Sequence, residues 1–288
     1  MAGGDDKKKA SGYGGALEGE TFHADFRGER GYGDYLELDT LLNLQNLWSG
    51  THDEMLFMII HQANELWMKL ALHELRAALE LIKRDELRPA FKMFARVKRI
   101  QENMTQSWEI LTTMTPADYM RFRDKLGNSS GFQSFQYRSI EFILGNKNPG
   151  FLEPHKHAPQ RHDPLKKLLE APSLYDEVIR LLARRGFTID ADQLERDWRQ
   201  PRKPNDSVRA AWTEIYRQSE RFWDLYELAE GLMDLEDKFQ TWRFRHRMTV
   251  ERVIGFKRGT GGTSGVGYLE KVINIRFFPE IWDCRTVL

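Results

Sequence analysis

Cysteine is nearly absent from this 288-residue chain: Cys284 is the single one. Its solitude excludes an intramolecular disulfide, cysteine-based zinc sites and iron–sulfur ligation by this chain alone, and it fits a reducing, cytoplasmic setting. Net charge is absent too, with 43 Lys plus Arg against 43 Asp plus Glu, so nothing supports a nucleic-acid or anionic-membrane footprint. No segment approaches the run of about twenty apolar residues that a membrane span needs. Alternating, strand-like runs are scarce, the nearest being 272–278. Phosphate-binding and zinc-protease fingerprints fail as well: no Gly-Lys-Ser/Thr occurs, and His73-Glu74 is not followed by a second histidine at the required spacing.

Helical periodicity and aromatic rings are present in quantity. Aromatics make up 12% of the chain, with eight tryptophans. Thr51-His-Asp-Glu54 has the pattern of a capping box, and the run after it predicts a helix to about Lys83, with Leu56, Ile60, Ala63, Trp67 and Leu70 as its core stripe. A second helix is predicted from about Glu86 to Thr113, and a short one after Thr115-Pro116, with Thr115 as cap. Phe132 to Leu144, the stretch opened by Ser173-Leu-Tyr-Asp176, and a long pattern from Asn205 to Ile254, broken once, complete the set. The segment 146–164, with four of the ten prolines and three histidines, reads as mostly loop. Residues 1–28, small, polar and glycine-rich, read as a disordered tail, and 29–288 as a single domain. The expected architecture is an all-α bundle of long antiparallel helices.

Chemistry is sought where a polar group breaks an apolar pattern. His246 shares one helical side with Leu235, Phe239, Trp242, Val250 and Val253, and a glycine-dense loop follows at Gly255. A lone core histidine is more often hydrogen-bonded and structural; the alternative is a metal or haem ligand. The loop Gly259 to Gly267 offers a permissive backbone and the hydroxyls of Thr260, Thr263 and Ser264, and reads as a ligand-ordered lid. His61 lies on a mixed face with Phe57, Asn64 and Met68, beside the predicted core stripe. Tyr119 and Arg123, one turn apart, could clamp a carboxylate, although pairing of Arg123 with Asp118 or Asp124 is the simpler reading. His155, His157 and His162 are expected in solvent. The chain has no Glu-x-x-His, so a di-iron carboxylate bundle is excluded. Two histidines without a carboxylate set favour haem over a bare metal ion.

Taken together, the segments Tyr32-Gly-Asp-Tyr35-Leu, His52 to Gln62, Tyr119-Met-Arg-Phe-Arg123-Asp, Ser129 to Tyr137, Phe142 to Asn148 and Trp242-Arg-Phe-Arg-His246 through Gly267 closely resemble tryptophan 2,3-dioxygenase, especially its bacterial members. The resemblance implies a homotetramer that binds haem b and cleaves the pyrrole ring of L-tryptophan with O2, giving N-formyl-L-kynurenine. It implies His246 as the proximal iron ligand and His61 as acceptor of a hydrogen bond from the indole N–H, with Phe57 packed on the indole. Arg123, helped by Tyr119 and the Thr260 hydroxyl, would take the substrate carboxylate, and Thr260 with a haem propionate the ammonium group. Ser130 and Gly131 match backbone beside the distal haem face, and the region of Tyr32 and Tyr35 would reach a neighbouring subunit's site. A haem-binding sensor without turnover, or a helical interaction protein whose histidines are structural, would carry the same helical pattern.

Overall fold

A computed structural model of the chain describes residues 9–11, 21–23 and 26–288. The chain divides into two units, Met1–Leu47 and Trp48–Leu288. Much of the expected tail lies outside the described residues. In the first unit, β1 (Lys9–Ser11) pairs antiparallel with β2 (Thr21–His23), Lys9 standing opposite His23. Two short helices follow, α1 (Tyr32–Leu36) and α2 (Leu38–Leu41).

The second unit is helical throughout its regular structure: α3 (His52–Lys83), α4 (Leu87–Leu111), α5 (Pro116–Phe122), α6 (Phe135–Leu144), α7 (Pro159–Glu170), α8 (Leu174–Arg184), α9 (Ala191–Leu194), α10 (Asp206–Arg217), α11 (Trp223–Ile254), α12 (Val266–Ile273) and α13 (Pro279–Cys284). The expected all-α bundle is what forms. Helices α3 and α4 make an antiparallel hairpin across Asp85, whose φ of 62° turns the chain, and α11 packs along α4. Their facing sides supply Leu75, Ala78, Val97, Ile100, Leu232 and Leu235 to one continuous core.

Local chemistry sets the helix ends, in places differently from expectation. Helices α5 and α8 begin with reciprocal capping boxes, Thr115 with Asp118 and Ser173 with Asp176. At α3 the box does not close. Glu54 reaches past the cap to accept from the backbone N–H groups of Trp48 and Ser49, both at 2.7 Å, while the Thr51 hydroxyl pairs with Ser49. The segment 146–164 is largely helical, a correction: Pro149 and Pro159 occupy first helical positions, where a missing N–H costs nothing. Residues 272–278 form no strand, since Val272 ends in α12. The core side of α3 also differs. Trp67 and Leu70 are exposed, with Ile59 and Leu66, whereas Asn64, Met68 and Leu75 point inward. That rotation carries His61 toward the bundle interior instead of along its edge.

Two buried charged groups tie the helices together. Glu141 is enclosed between Arg138 on its own helix and Arg243 of α11, and also accepts from Asn146. Lys147 is fully buried, its ammonium donating to the carbonyls of Leu168 and Ala171 at the C-terminal end of α7. Burial lowers its pKa to about 7, the charge of Asp176 opposing the drop. The unfolded lysine holds its proton to near 10.5, so between about 7 and 10.5 the unfolded chain binds the extra proton and stability rises with pH. Lys147→Met should therefore flatten the rise in thermal stability between about pH 7 and 9, as followed by Tm against pH; an unchanged slope would assign the proton elsewhere.

Candidate functional site

Five of the residues singled out by sequence converge around one aromatic-lined space of the second unit. His61 comes from α3, Tyr119 from α5, Arg123 from the single 3-10 turn after it, and His246 from α11. Phe57 joins them, its ring 4.2 Å from that of His61 and 6.0 Å from that of Tyr119. Trp108 of α4 was not foreseen. Its indole stacks on His246 at 4.6 Å and 8°, and its ring centre lies 6.5 Å from that of His61. Trp242, one turn before His246, packs on both His246 and Trp108. The fourth-residue spacing of Trp108 from Met104 in α4 is all the sequence offers, and that spacing marks core as readily as site.

Both imidazoles are neutral at physiological pH. Burial lowers the pKa of His61, against the opposing pull of the Phe57 carbonyl and Glu65. Burial, reinforced by His61, brings His246 down to about 4. Their hydrogen bonding separates their roles. His61 Nδ1 lies 2.7 Å from the Phe57 carbonyl oxygen, an acceptor only, so Nδ1 carries the proton and Nε2 is left with a lone pair. Neither ring nitrogen of His246 has a hydrogen bond among the described residues, which leaves an unprotonated nitrogen free to bind a metal. Nε1 of Trp108, Nε1 of Trp242 and Nε of Arg123 are buried donors without partners. Such donors are costly to leave unmet.

Arg123 does not pair with Asp118 or Asp124. One of its terminal nitrogens donates to the Arg258 carbonyl at 2.9 Å, and its charge lies near the Tyr119 hydroxyl. Asp118 serves the α5 cap. The glycine loop is docked rather than floppy. Gly259 N–H donates to the Thr263 carbonyl and Gly262 N–H to that of Gly259, at 3.1 and 3.0 Å. The Thr260 hydroxyl donates to the Ser129 carbonyl, and a Cβ on Gly261 would stand 2.6 Å from Cβ of Ser130. Ser130 accepts from Phe132 N–H as the cap of the turn that begins at Gly131, where a Cβ would meet nothing within 4 Å. Tyr32 and Tyr35 belong to the first unit, where they are 76% and 78% exposed on α1.

Other expectations fare differently. His155 is buried, not solvated, its ring edge against Phe135 and its Nε2 without a partner. His162 bonds Asp163. An open cleft of about 540 Å3, lined by Asp85, Arg88, Arg185 and Asp224 among others, holds none of the expected site residues. Its Arg185 is already paired with Asp85 and Asp224.

An all-α bundle that turns two neutral imidazoles, aromatic walls and a half-satisfied guanidinium toward one space belongs to the class of helical proteins that hold a ligand inside the bundle. Comparison with known sequences makes the class specific. The chain belongs to the tryptophan 2,3-dioxygenase family, whose profile it matches over residues 18–288. It is 57% identical over 276 residues to tryptophan 2,3-dioxygenase of Ralstonia pickettii, covering 95% of this chain and 99% of that one. The protein of the same name from Paraburkholderia phytofirmans is 60% identical over 264 residues, 92% and 86% of the two chains. That from Cupriavidus necator is 57% identical over 282 residues, 97% and 96%.

The contact between Gly261 and Ser130 yields a direct test. Gly261→Ala should force the two loops apart at a cost of about 1–3 kcal/mol, lowering Tm and weakening ligand binding together; wild-type values of both would show that the loops are not in contact.

Proposed function

We propose that this chain cleaves the indole pyrrole ring of L-tryptophan with O2, giving N-formyl-L-kynurenine, with haem b held in the space between His61 and His246. The carrying observation is the pairing of a neutral, acceptor-only His61 Nε2 with an incompletely bonded Arg123 on one side of that space. The residues present fit a haem. His246 offers an unprotonated nitrogen without a competing bond, and nothing stands within 4 Å of a Cβ placed on Gly131. Trp108 and Trp242 supply aromatic contact and two unmet donors. Bound there, ferrous haem supplies O2 binding and activation.

The protein's own part is to select and orient the amino acid. His61 Nε2 accepts the indole N–H, and Phe57 lies against the indole. With its pKa lowered, His61 is a poor base, so it positions the ring rather than removing its proton. Arg123 clamps the carboxylate through its free N–H, and the nearby Tyr119 hydroxyl donates its hydrogen to the same carboxylate. Thr260 takes the ammonium: its hydrogen goes to Ser129, so what remains is lone pairs, which suit a cation and not a carboxylate. Enclosure by the glycine loop keeps water from the reacting ring.

We further propose a homotetramer in which Tyr32 and Tyr35 complete a neighbouring subunit's site. Their exposed rings and the outward apolar side chains of Ile59, Leu66, Trp67 and Leu70 support association between chains. A cytoplasmic location accords with a single cysteine, and no helix among the described residues is long and apolar enough to cross a membrane.

His246→Ala should abolish tight haem binding, read as loss of the Soret band at equal protein concentration; a wild-type band would remove His246 as the iron ligand. Wild-type protein with haem and reductant should form N-formyl-L-kynurenine in air, and a haem protein that forms none would be a sensor instead. Arg123→Ala should raise KM for L-tryptophan by on the order of a hundredfold, the scale of a lost charged hydrogen-bonding partner, whereas an unchanged KM would contradict the clamp.

A further inference from the structure

Behind the site lies a guanidinium that no step above uses. Arg138 of α6 is 2% exposed and packs between the rings of Phe132 and Phe151, at 4.6 and 4.0 Å. Its Nε donates to the Phe132 carbonyl at 3.2 Å, one terminal nitrogen pairs with Glu141, and the other donates to the Tyr268 hydroxyl at 3.4 Å. Those partners belong to different pieces of the site. Phe132 is the middle residue of the turn Gly131–Gln133, which follows Ser129 and Ser130. Tyr268 lies on α12, directly after Gly265, the residue that closes the glycine loop carrying Thr260. The rings of Phe132 and Tyr268 meet edge to face at 5.7 Å.

The front of this junction is the Thr260–Ser129 bond and the close approach of Gly261 to Ser130. Arg138 joins the same two segments from the buried side. Glu141 holds Arg138 in place and accepts from Arg243 with its other oxygen, and Arg243 in turn donates to the Ile275 carbonyl just beyond α12. A planar fork is suited to this task, because its donors leave in fixed directions and an ammonium's do not.

We propose that Arg138 is a positioning residue for the amino-acid end of the substrate, fixing the spacing of the Ser129–Phe132 segment and the glycine loop so that Thr260 and Arg123 stand at the right separation. The inference rests on the substrate reading given above. Arg138 itself touches no substrate; it acts through the Phe132 carbonyl and Tyr268.

Tyr268→Phe isolates the idea, since it removes one hydroxyl and keeps the ring. In the haem-loaded protein KM for L-tryptophan should rise roughly three- to tenfold, with kcat nearly unchanged and Tm close to wild type. Amides of residues 256–265 should exchange hydrogen faster than in wild type. Arg138→Lys, which keeps the charge and loses the fork, should give the larger KM rise. Unchanged KM and unchanged exchange in Tyr268→Phe would overturn the proposal, as would a fall in Tm in both variants with KM intact. If wild-type protein fails to turn over tryptophan, the substrate reading fails, and the exchange measurement still decides whether Arg138 couples the two segments.

Discussion

The carboxylate of Glu141, enclosed by two guanidiniums, is the interaction on which the arrangement of the site depends. Taking three charges out of water costs several kcal/mol for each ion, roughly, and Coulomb attraction offsets this only where the remaining hydrogen-bonding positions are filled. Here they are. Glu141 accepts from Arg138, Arg243 and Asn146, and the arginines spend their other donors on Phe132, Tyr268 and Ile275. An apolar trio could fill the same volume, and in other proteins such exchanges are often neutral or stabilising. It could not hold two backbone carbonyls and a hydroxyl at set distances. The network thus trades stability for placement, and what it places are the segments on either side of the substrate space.

Desolvation does a second task at that space. The burial that makes charged groups expensive holds His61 and His246 in their neutral forms. A neutral imidazole is a ligand and an acceptor; a protonated one is neither. The difference between the two histidines then comes from one backbone contact, Phe57 carbonyl to His61 Nδ1, which fixes the tautomer of His61 and has no counterpart at His246. One helix geometry, a carbonyl four residues back, is enough to give the two imidazoles different free nitrogens, as the proposed roles of acceptor and metal ligand require.

Most of the helices were legible in the sequence because their signals are local. Thr115-Pro116, Ser173 to Asp176 and the apolar spacing of 235–253 act within one or two turns, and the structure agrees at each. What was hidden depends on partners far along the chain. Helix α3 has two apolar ridges, and periodicity cannot say which meets α4; the ridge with Trp67 and Leu70 is the outward one. Glu54 at the box position found better donors in Trp48 and Ser49 than in its own cap. The prolines of 146–164 start helices as readily as they break them, and the fold chose starts. His155 follows from that: within a helical segment packed on α6 it becomes buried. At the site, the candidate residues were readable by type and spacing. Trp108 and the Arg138–Glu141–Arg243 triad were not, since a core tryptophan and a buried ion triad resemble ordinary helix positions until the helices are assembled.

The glycine loop carries the last consequence. A loop that orders only on binding charges its entropy, about 1–2 kcal/mol per residue fixed, against affinity. This loop is already closed by its own backbone bonds and docked by Thr260 on Ser129 and by Arg258 on Arg123. The ordering cost is met on folding, so ligand binding requires little further ordering. Arg123 has an unpartnered Nε for a carboxylate, so its bond to the Arg258 carbonyl can stay in place. Substrate would then meet a loop already held at Arg258 and at Thr260 two residues further on, which makes the loop a seat formed in advance and not a lid that waits open.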